Sequence, residues 1–270
     1  VSGVTRIADT IRAANTDGRA ALIVYLPAGY PDLDGSRACL EAAVEAGADI
    51  LEVGFPYSDP LMDGPTIQAA SQVALDQGLT PADDFEMCAK LTANVDVPVA
   101  VMTYYNLAWH YRGTAKLDDF ALAAAQAGLA GAILPDLPAA AGGPWSAAAA
   151  AHDLATIFLA APTSVEDRIA AVADATTGFV YATSTLGVTG ERQSLSAMAA
   201  PLVARIRPLT DKPVCVGIGV TTGEHAAEVA GFADGVIVGS AIVRAAGEGG
   251  PRAVTELVAE LAQGCRRRPA

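Results

Sequence analysis

Lysine occurs in this 270-residue chain only as Lys90, Lys116 and Lys212, and histidine only as His110, His152 and His225. Basic residues are outnumbered, 17 Lys and Arg against 30 Asp and Glu, which leaves a net charge of −13. A nucleic-acid surface needs a basic stripe, so nucleic acid is excluded as a partner. Cys39, Cys88, Cys215 and Cys265 form no CxxC pair and no disulfide framework, and they read as reduced thiols of a cytoplasmic protein. No apolar run approaches the roughly 20 residues of a membrane span, and no signal-peptide pattern opens the sequence. A membrane association is therefore not expected. Aromatic residues make up only 6%, against 52% hydrophobic residues, so Ala, Val, Leu and Ile must build the core. That mixture suits helices packed on a buried parallel sheet.

What is present alternates. Short apolar runs recur at Ala21–Leu26, Ile50–Val53, Val97–Met102, Gly131–Leu134, Thr156–Leu159, Phe179–Tyr181, Val214–Val216 and Gly235–Val238. Helical patterns lie between them, near 36–46, 66–77, 82–93, 117–127, 142–152, 165–174, 195–207 and 222–230. Another leads at about 3–14 and one closes at about 252–262. Pro81 splits the second crossover, which therefore carries an extra helix. Continuously apolar strands joined by helical crossovers give a parallel sheet covered on both faces. Eight such units predict an α/β fold, a single (β/α)8 TIM barrel domain over residues 1–270. It has an extra N-terminal helix and a short helix after the eighth strand. An open dinucleotide-binding sheet would carry GxGxxG after its first strand, and Leu26-Pro27-Ala28-Gly29-Tyr30-Pro31 is not that.

Barrel active sites sit at the C-terminal ends of the strands. The residues there include Tyr25, Glu52, Tyr104, Asn106, Asp136 and Tyr181, with Asp63 carried in by the loop after the second strand. Gly217 and Gly219 follow the seventh strand, and Gly239-Ser240 follows the eighth. Glycines let the backbone approach an anion, and a helix starting at Ser240 aims its N–H groups and dipole at it. This predicts a phosphate site that calls on no Lys or Arg.

Three chemistries use phosphate-binding barrels. Schiff-base catalysis needs a lysine at a strand's C-terminal end. Lys90 falls in a helix, Lys116 enters one, and Lys212 precedes the seventh strand at the wrong face. A metal-dependent route needs clustered ligands, and the three histidines have no metal-ligand spacing, so no metal is expected. General acid–base work by carboxylates and tyrosines remains. Glu52 sits on an apolar strand, where desolvation favours its neutral, proton-donating form. Asp63, on a wetter Gly/Pro-rich loop, is expected to stay ionised and accept a hydrogen bond.

These residues belong to one run, from Glu52-Val53-Gly54-Phe55-Pro56-Tyr57-Ser58-Asp59-Pro60 through Asp63-Gly64-Pro65-Thr66-Ile67-Gln68. With Met102-Thr103-Tyr104-Tyr105-Asn106, Pro135-Asp136-Leu137-Pro138, Leu186-Gly187-Val188-Thr189-Gly190 and Ala233 through Ser240, it closely resembles the tryptophan synthase alpha subunit family. The likeness runs nearly end to end. It implies retro-aldol cleavage of indole-3-glycerol phosphate to indole and glyceraldehyde 3-phosphate, without metal or organic cofactor. Glu52 takes the place of the family's acid–base, Asp63 holds the indole N–H, and Tyr181 lies close to the reacting centre. Tyr25, Tyr104 and Ile67 wall the indole pocket. Gly190, Gly217, Gly239 and Ser240 cradle the phosphate, and Thr189 belongs to a mobile loop that closes over Asp63.

The resemblance also implies a pyridoxal-phosphate beta subunit as partner, in an α2β2 assembly. The loop Phe55–Asp63 and the segment Tyr105–Ala108 are expected to face it. A stand-alone indole-3-glycerol phosphate lyase would share every catalytic residue, whereas the retention of Glu52 and Asp63 speaks against the other alternative, a catalytically weak activator of a beta subunit. Phe55 stands where a smaller residue is usual and is expected to belong to a partner-facing hinge. Thr185 stands where several family members carry Arg, so loop closure is expected to be stabilised differently here.

Overall fold

The structure, a computed structural model, describes residues 3–183, 195–217 and 219–267. Its strands are β1 (Ala21–Pro27), β2 (Ile50–Gly54), β3 (Val99–Met102), β4 (Gly131–Ile133), β5 (Ala155–Ile157), β6 (Leu159–Ala160), β7 (Val180–Thr183), β8 (Val214–Gly217) and β9 (Gly235–Val238). All pair in parallel, in the order β5-β4-β3-β2-β1-β9-β8-β7-β6. Only Phe158 separates β5 from β6, so the two ends of that order are continuous in the chain and the sheet closes on itself. The expected fifth strand is thus one barrel strand serving two neighbours, its first half on β4 and its second half on β7. The barrel read from the sequence is the barrel observed.

The helices Leu33–Glu45, Pro65–Asp76, Pro81–Asn94, Leu117–Gln126, Gly143–Ala151, Glu166–Ala175, Leu195–Ile206 and Gly223–Ala230 surround the sheet. Pro65 and Pro81 each open a helix, where the missing N–H leaves no bond unmade. The helix expected after the last strand starts at Ser240, kinks at Gly250 (φ 58°) and resumes at Pro251 to end at Gly264. A five-residue helix, Tyr105–Trp109, follows β3 and is too short for periodicity to reveal.

Side chains alternate between the two faces of each strand. Leu22, Val24, Leu51, Val53, Val214 and Val216 point outward into the core shared with the helices. Ala21, Ile23, Ile50, Ala100, Cys215 and Ile237 point inward and form a separate interior cluster. Glu52 is the next inward position after Ile50. The N-terminal helix Gly3–Thr16 fills the opposite end of the barrel, with Ile7 and Ile11 in the interior cluster and 0% exposed. Polar side chains stitch the strand starts at that end. Asp49 and Asp234 accept the N–H groups of Leu22 and Val214 at 2.8 Å and pair with Arg19 and Arg207 at 2.6 Å.

Because Ile11 fills the interior with no room to collapse, Ile11→Ala should lower the unfolding free energy by about 3 kcal/mol. Leu61→Ala, at an 88% exposed position, should change it by less than about 0.5 kcal/mol. Urea denaturation of the two variants checks both.

Candidate active site

A cavity of about 310 Å³ opens at the C-terminal ends of the strands, a size within the range of small-molecule sites. Of the residues expected at the site, Tyr25, Glu52, Asp63, Ile67, Tyr181, Gly217, Gly239 and Ser240 line it. Gly219, expected beside Gly217, lines it too, and the walls also include Met62, Met102, Thr221, Ile237 and Arg244, which the sequence reading did not assign to the site. A second, larger hollow of about 900 Å³ lies between helix Gly223–Ala230 and residues 260–267 and contains none of the expected site residues.

Glu52 lies between Tyr25 of β1 and Ala100 of β3 in the strand register and is 1% exposed. Neither carboxyl oxygen has a hydrogen-bonding partner among the described residues. Burial pushes its pKa up to about 8, so it holds its proton at neutral pH. Asp63 is only half-buried, yet burial lifts its pKa to about 6 against the opposing hydrogen bond from Tyr104. Its setting is drier than the sequence suggested, because the loop folds back over the cavity. It is still largely a carboxylate at pH 7. The two acids therefore titrate on opposite sides of neutrality, one a donor and the other an acceptor.

Two tyrosines fit against two glycines. A Cβ on Gly54 would collide with the Tyr25 hydroxyl, and one on Gly217 with the Tyr181 hydroxyl. Both phenols are pushed well above their usual pKa, first by burial and then by the nearby carboxylates, so both stay protonated. They present O–H donors beside Glu52 and Asp63.

Tyr104 stands behind the cavity wall rather than on it. Its hydroxyl accepts the Met62 N–H at 2.9 Å, and its ring stacks on Tyr57 with centroids 5.1 Å apart. It holds the loop that carries Asp63. The side chain of Gln68 ties the same loop from below, donating to the Asp63 carbonyl at 2.7 Å. Asn106 donates to the Tyr57 hydroxyl at 2.9 Å, and Asp136 accepts the Tyr105 N–H at 2.8 Å, so both brace the face without entering the cavity. Phe55 is not at a partner-facing hinge. It is 4% exposed and packs edge-on against Phe85 (4.8 Å) and Phe120 (6.3 Å), anchoring the loop in the core. The exposed apolar residues of that loop are Leu61 and Met62.

At the other side of the cavity, Gly217, Gly219, Gly239 and Ser240 converge. Gly219 has a φ of 46°, a conformation that favours glycine. The helix beginning at Ser240 leaves its first N–H groups aimed at this corner. Thr185, Thr189 and Gly190 lie outside the described residues. Lys212 donates to the Ala173 carbonyl at 2.6 Å, far from the strand ends that carry the site. His152 pairs with Asp118 and His225 with Thr221, while His110 is exposed. No cluster of His, Cys, Asp and Glu suited to a metal occurs among the described residues.

Known proteins with this architecture decide the family. A family model described as tryptophan synthase alpha chain matches residues 11–267. The chain is 50% identical over 266 residues to the tryptophan synthase alpha chain of Nocardia farcinica, covering 98% of each. It belongs to the tryptophan synthase alpha chain family. It is also 48% identical over 265 residues to the alpha chain of Streptomyces avermitilis, covering 96% of this chain and 94% of that one. It superposes on a chain of Mycobacterium tuberculosis tryptophan synthase with a TM-score of 0.90 at 45% identity, covering 97% of this chain and 99% of that one. A Legionella pneumophila alpha subunit gives 0.85 at 30% identity, with 98% of each chain covered. Tryptophan synthase alpha chains are lyases of tryptophan biosynthesis that cleave indole-3-glycerol phosphate, and this chain shares that activity.

The burial of Glu52 has a consequence for stability. Unfolded, it titrates near 4.5, and folded near 8. Between these values the unfolded chain releases a proton that the folded chain keeps, so stability falls as pH rises through the window. Glu52→Gln removes this loss and should be more stable than the parent above pH 8 by up to about 5 kcal/mol. Asp84, also buried and raised to about 8, acts in the same direction, so the variant keeps a shallower slope. Urea unfolding at a series of pH values reads the difference.

Proposed function

We propose that Glu52 is the acid–base of the retro-aldol cleavage and that Asp63 is its electrostatic partner. The observation that carries this is Glu52 itself: a protonated, unpartnered carboxyl facing the cavity. In the reaction Glu52 gives its proton to indole C3, and the positive charge passes to the indole nitrogen. The Asp63 carboxylate accepts the N–H and stabilises that charge. The Glu52 carboxylate then takes the proton of the hydroxyl on the carbon attached to C3. The carbon–carbon bond breaks, its electrons return to the ring, and the alcohol carbon becomes the aldehyde of glyceraldehyde 3-phosphate. Glu52 is left protonated again, so no metal or organic cofactor has to supply or remove anything.

The remaining residues position the substrate. Tyr25, Ile67 and Tyr181 flank the indole, with Tyr104 behind them, and Tyr181 lies close to the reacting centre. Gly217, Gly239 and Ser240 hold the phosphate through backbone N–H groups, and the family resemblance adds Thr189 and Gly190 to the residues that bind the substrate. The chain acts as a single domain in the cytoplasm, paired with a beta subunit in an α2β2 assembly. Two features support that docking face. Leu61 is an 88% exposed apolar side chain on the Asp63 loop, and an adjoining groove of about 510 Å³ is lined by Pro56, Tyr57, Asn106 and Leu107.

For the free enzyme, kcat/KM should be bell-shaped, with limbs near pH 6 and pH 8, because Asp63 must be ionised and Glu52 protonated. Asp63→Asn should abolish the acid limb. Glu52→Gln should lower kcat by about a thousandfold with KM little changed. Full activity in Glu52→Gln would overturn the assignment.

Adding the beta subunit should raise the rate of indole formation, and Leu61→Glu should weaken that activation while leaving the isolated activity in place. Equal rates with and without beta subunit would favour a stand-alone lyase.

A further inference from the structure

The structure assigns Arg244 a role that the phosphate cradle alone does not fill: we infer that its guanidinium attracts and holds the substrate phosphate. This rests on the proposed placement of the phosphate at Gly217, Gly239 and Ser240. Arg244 lines the same cavity as those residues and is the one cation among the described residues that do so, in a cavity that also holds Glu52 and Asp63. It lies four residues after Ser240 on the helix that opens at the cradle, hence on the same helical face, about 6 Å further along the axis. Side chains on a helix lean toward its N-terminus, so the long arm of Arg244 runs back toward Ser240.

Its charge is not spent on any other described residue. Arg19, Arg205 and Arg207 are each bound in an ion pair, with Asp49, Glu166 and Asp234. Arg244 is exposed and makes no salt bridge with any described residue, not even with Glu248 one turn further on. A chain of net charge −13 repels a phosphorylated substrate at long range. Backbone N–H groups act only at contact. A free guanidinium at the mouth acts over the Debye length, about 8 Å at physiological ionic strength, and its planar fork matches phosphate oxygens. Backbone and arginine thus divide the work, the first fixing the phosphate and the second drawing it in.

The test uses the full chain and two measurements. In steady-state cleavage of indole-3-glycerol phosphate, Arg244→Gln should raise KM about tenfold, change kcat less than about threefold, and flatten the dependence of kcat/KM on salt. Arg244→Lys should recover most of the loss and the salt dependence. In calorimetry, inorganic phosphate should bind the parent chain and bind Arg244→Gln about tenfold more weakly, while indole binds both alike. An unchanged KM and salt dependence, or equal phosphate binding by the parent and Arg244→Gln, would overturn the role of Arg244. A parent chain that binds phosphate through Arg244 but does not cleave the substrate would instead sink the catalytic reading and leave this one standing.

Discussion

A carboxyl group buried in a barrel, with no hydrogen-bonding partner among the described residues, is the constraint around which the site is arranged. Burying a charge there is expensive, so Glu52 keeps its proton, and a group that keeps its proton at neutral pH can give it away. The strand alternation that turns Ile23 and Ile50 inward also turns Glu52 inward. One register slip would send it into the apolar layer under the helices. The interior cluster and the N-terminal helix close the barrel below it, and the cavity opens above it.

The second acid is held by quite different means. Asp63 rides on a loop whose two ends are tied into the protein: Phe55 into an aromatic cluster with Phe85 and Phe120, and the Asp63 carbonyl to Gln68. Tyr104 braces the middle through the Met62 N–H. Because the loop folds over the cavity, Asp63 loses water and its pKa climbs, though less than that of Glu52. The gap between the two values is what lets one acid donate while the other accepts. It comes from unequal burial rather than from any direct contact between them.

Anion recognition poses a separate problem in a protein with so many acidic residues. The proposed cradle would solve it at short range with backbone dipoles, since Gly217 and Gly239 line the cavity and the helix starting at Ser240 adds its field. Gly217 serves twice, because the space it leaves also admits the Tyr181 hydroxyl. In the proposed reading the substrate is oriented by its two ends, with the phosphate in the cradle and the indole between Glu52 and Asp63.

The order of strands and helices was legible in the sequence because apolar periodicity is a local signal. So were the positions of Glu52, an acid on an apolar strand, and of Gly239-Ser240 at a strand end. The helix Tyr105–Trp109 was not legible, being too short to show a period. The double pairing of the fifth strand was also hidden, since closure of a sheet depends on partners distant in the chain. Phe55 looked like part of a surface hinge because its neighbours are Gly54 and Pro56, and only the packing of helix Pro81–Asn94 and helix Leu117–Gln126 against it shows otherwise. Arg244 could have been found by counting one helical turn from Ser240, but its freedom from ion pairs could not. The sequence determined which residues point inward and which elements form. The tertiary structure decided how dry each acid is, which tyrosine lines the cavity and which supports it, and where an unpaired charge was left. Burial and proximity are properties of the assembled barrel, and no stretch of chain carries them alone.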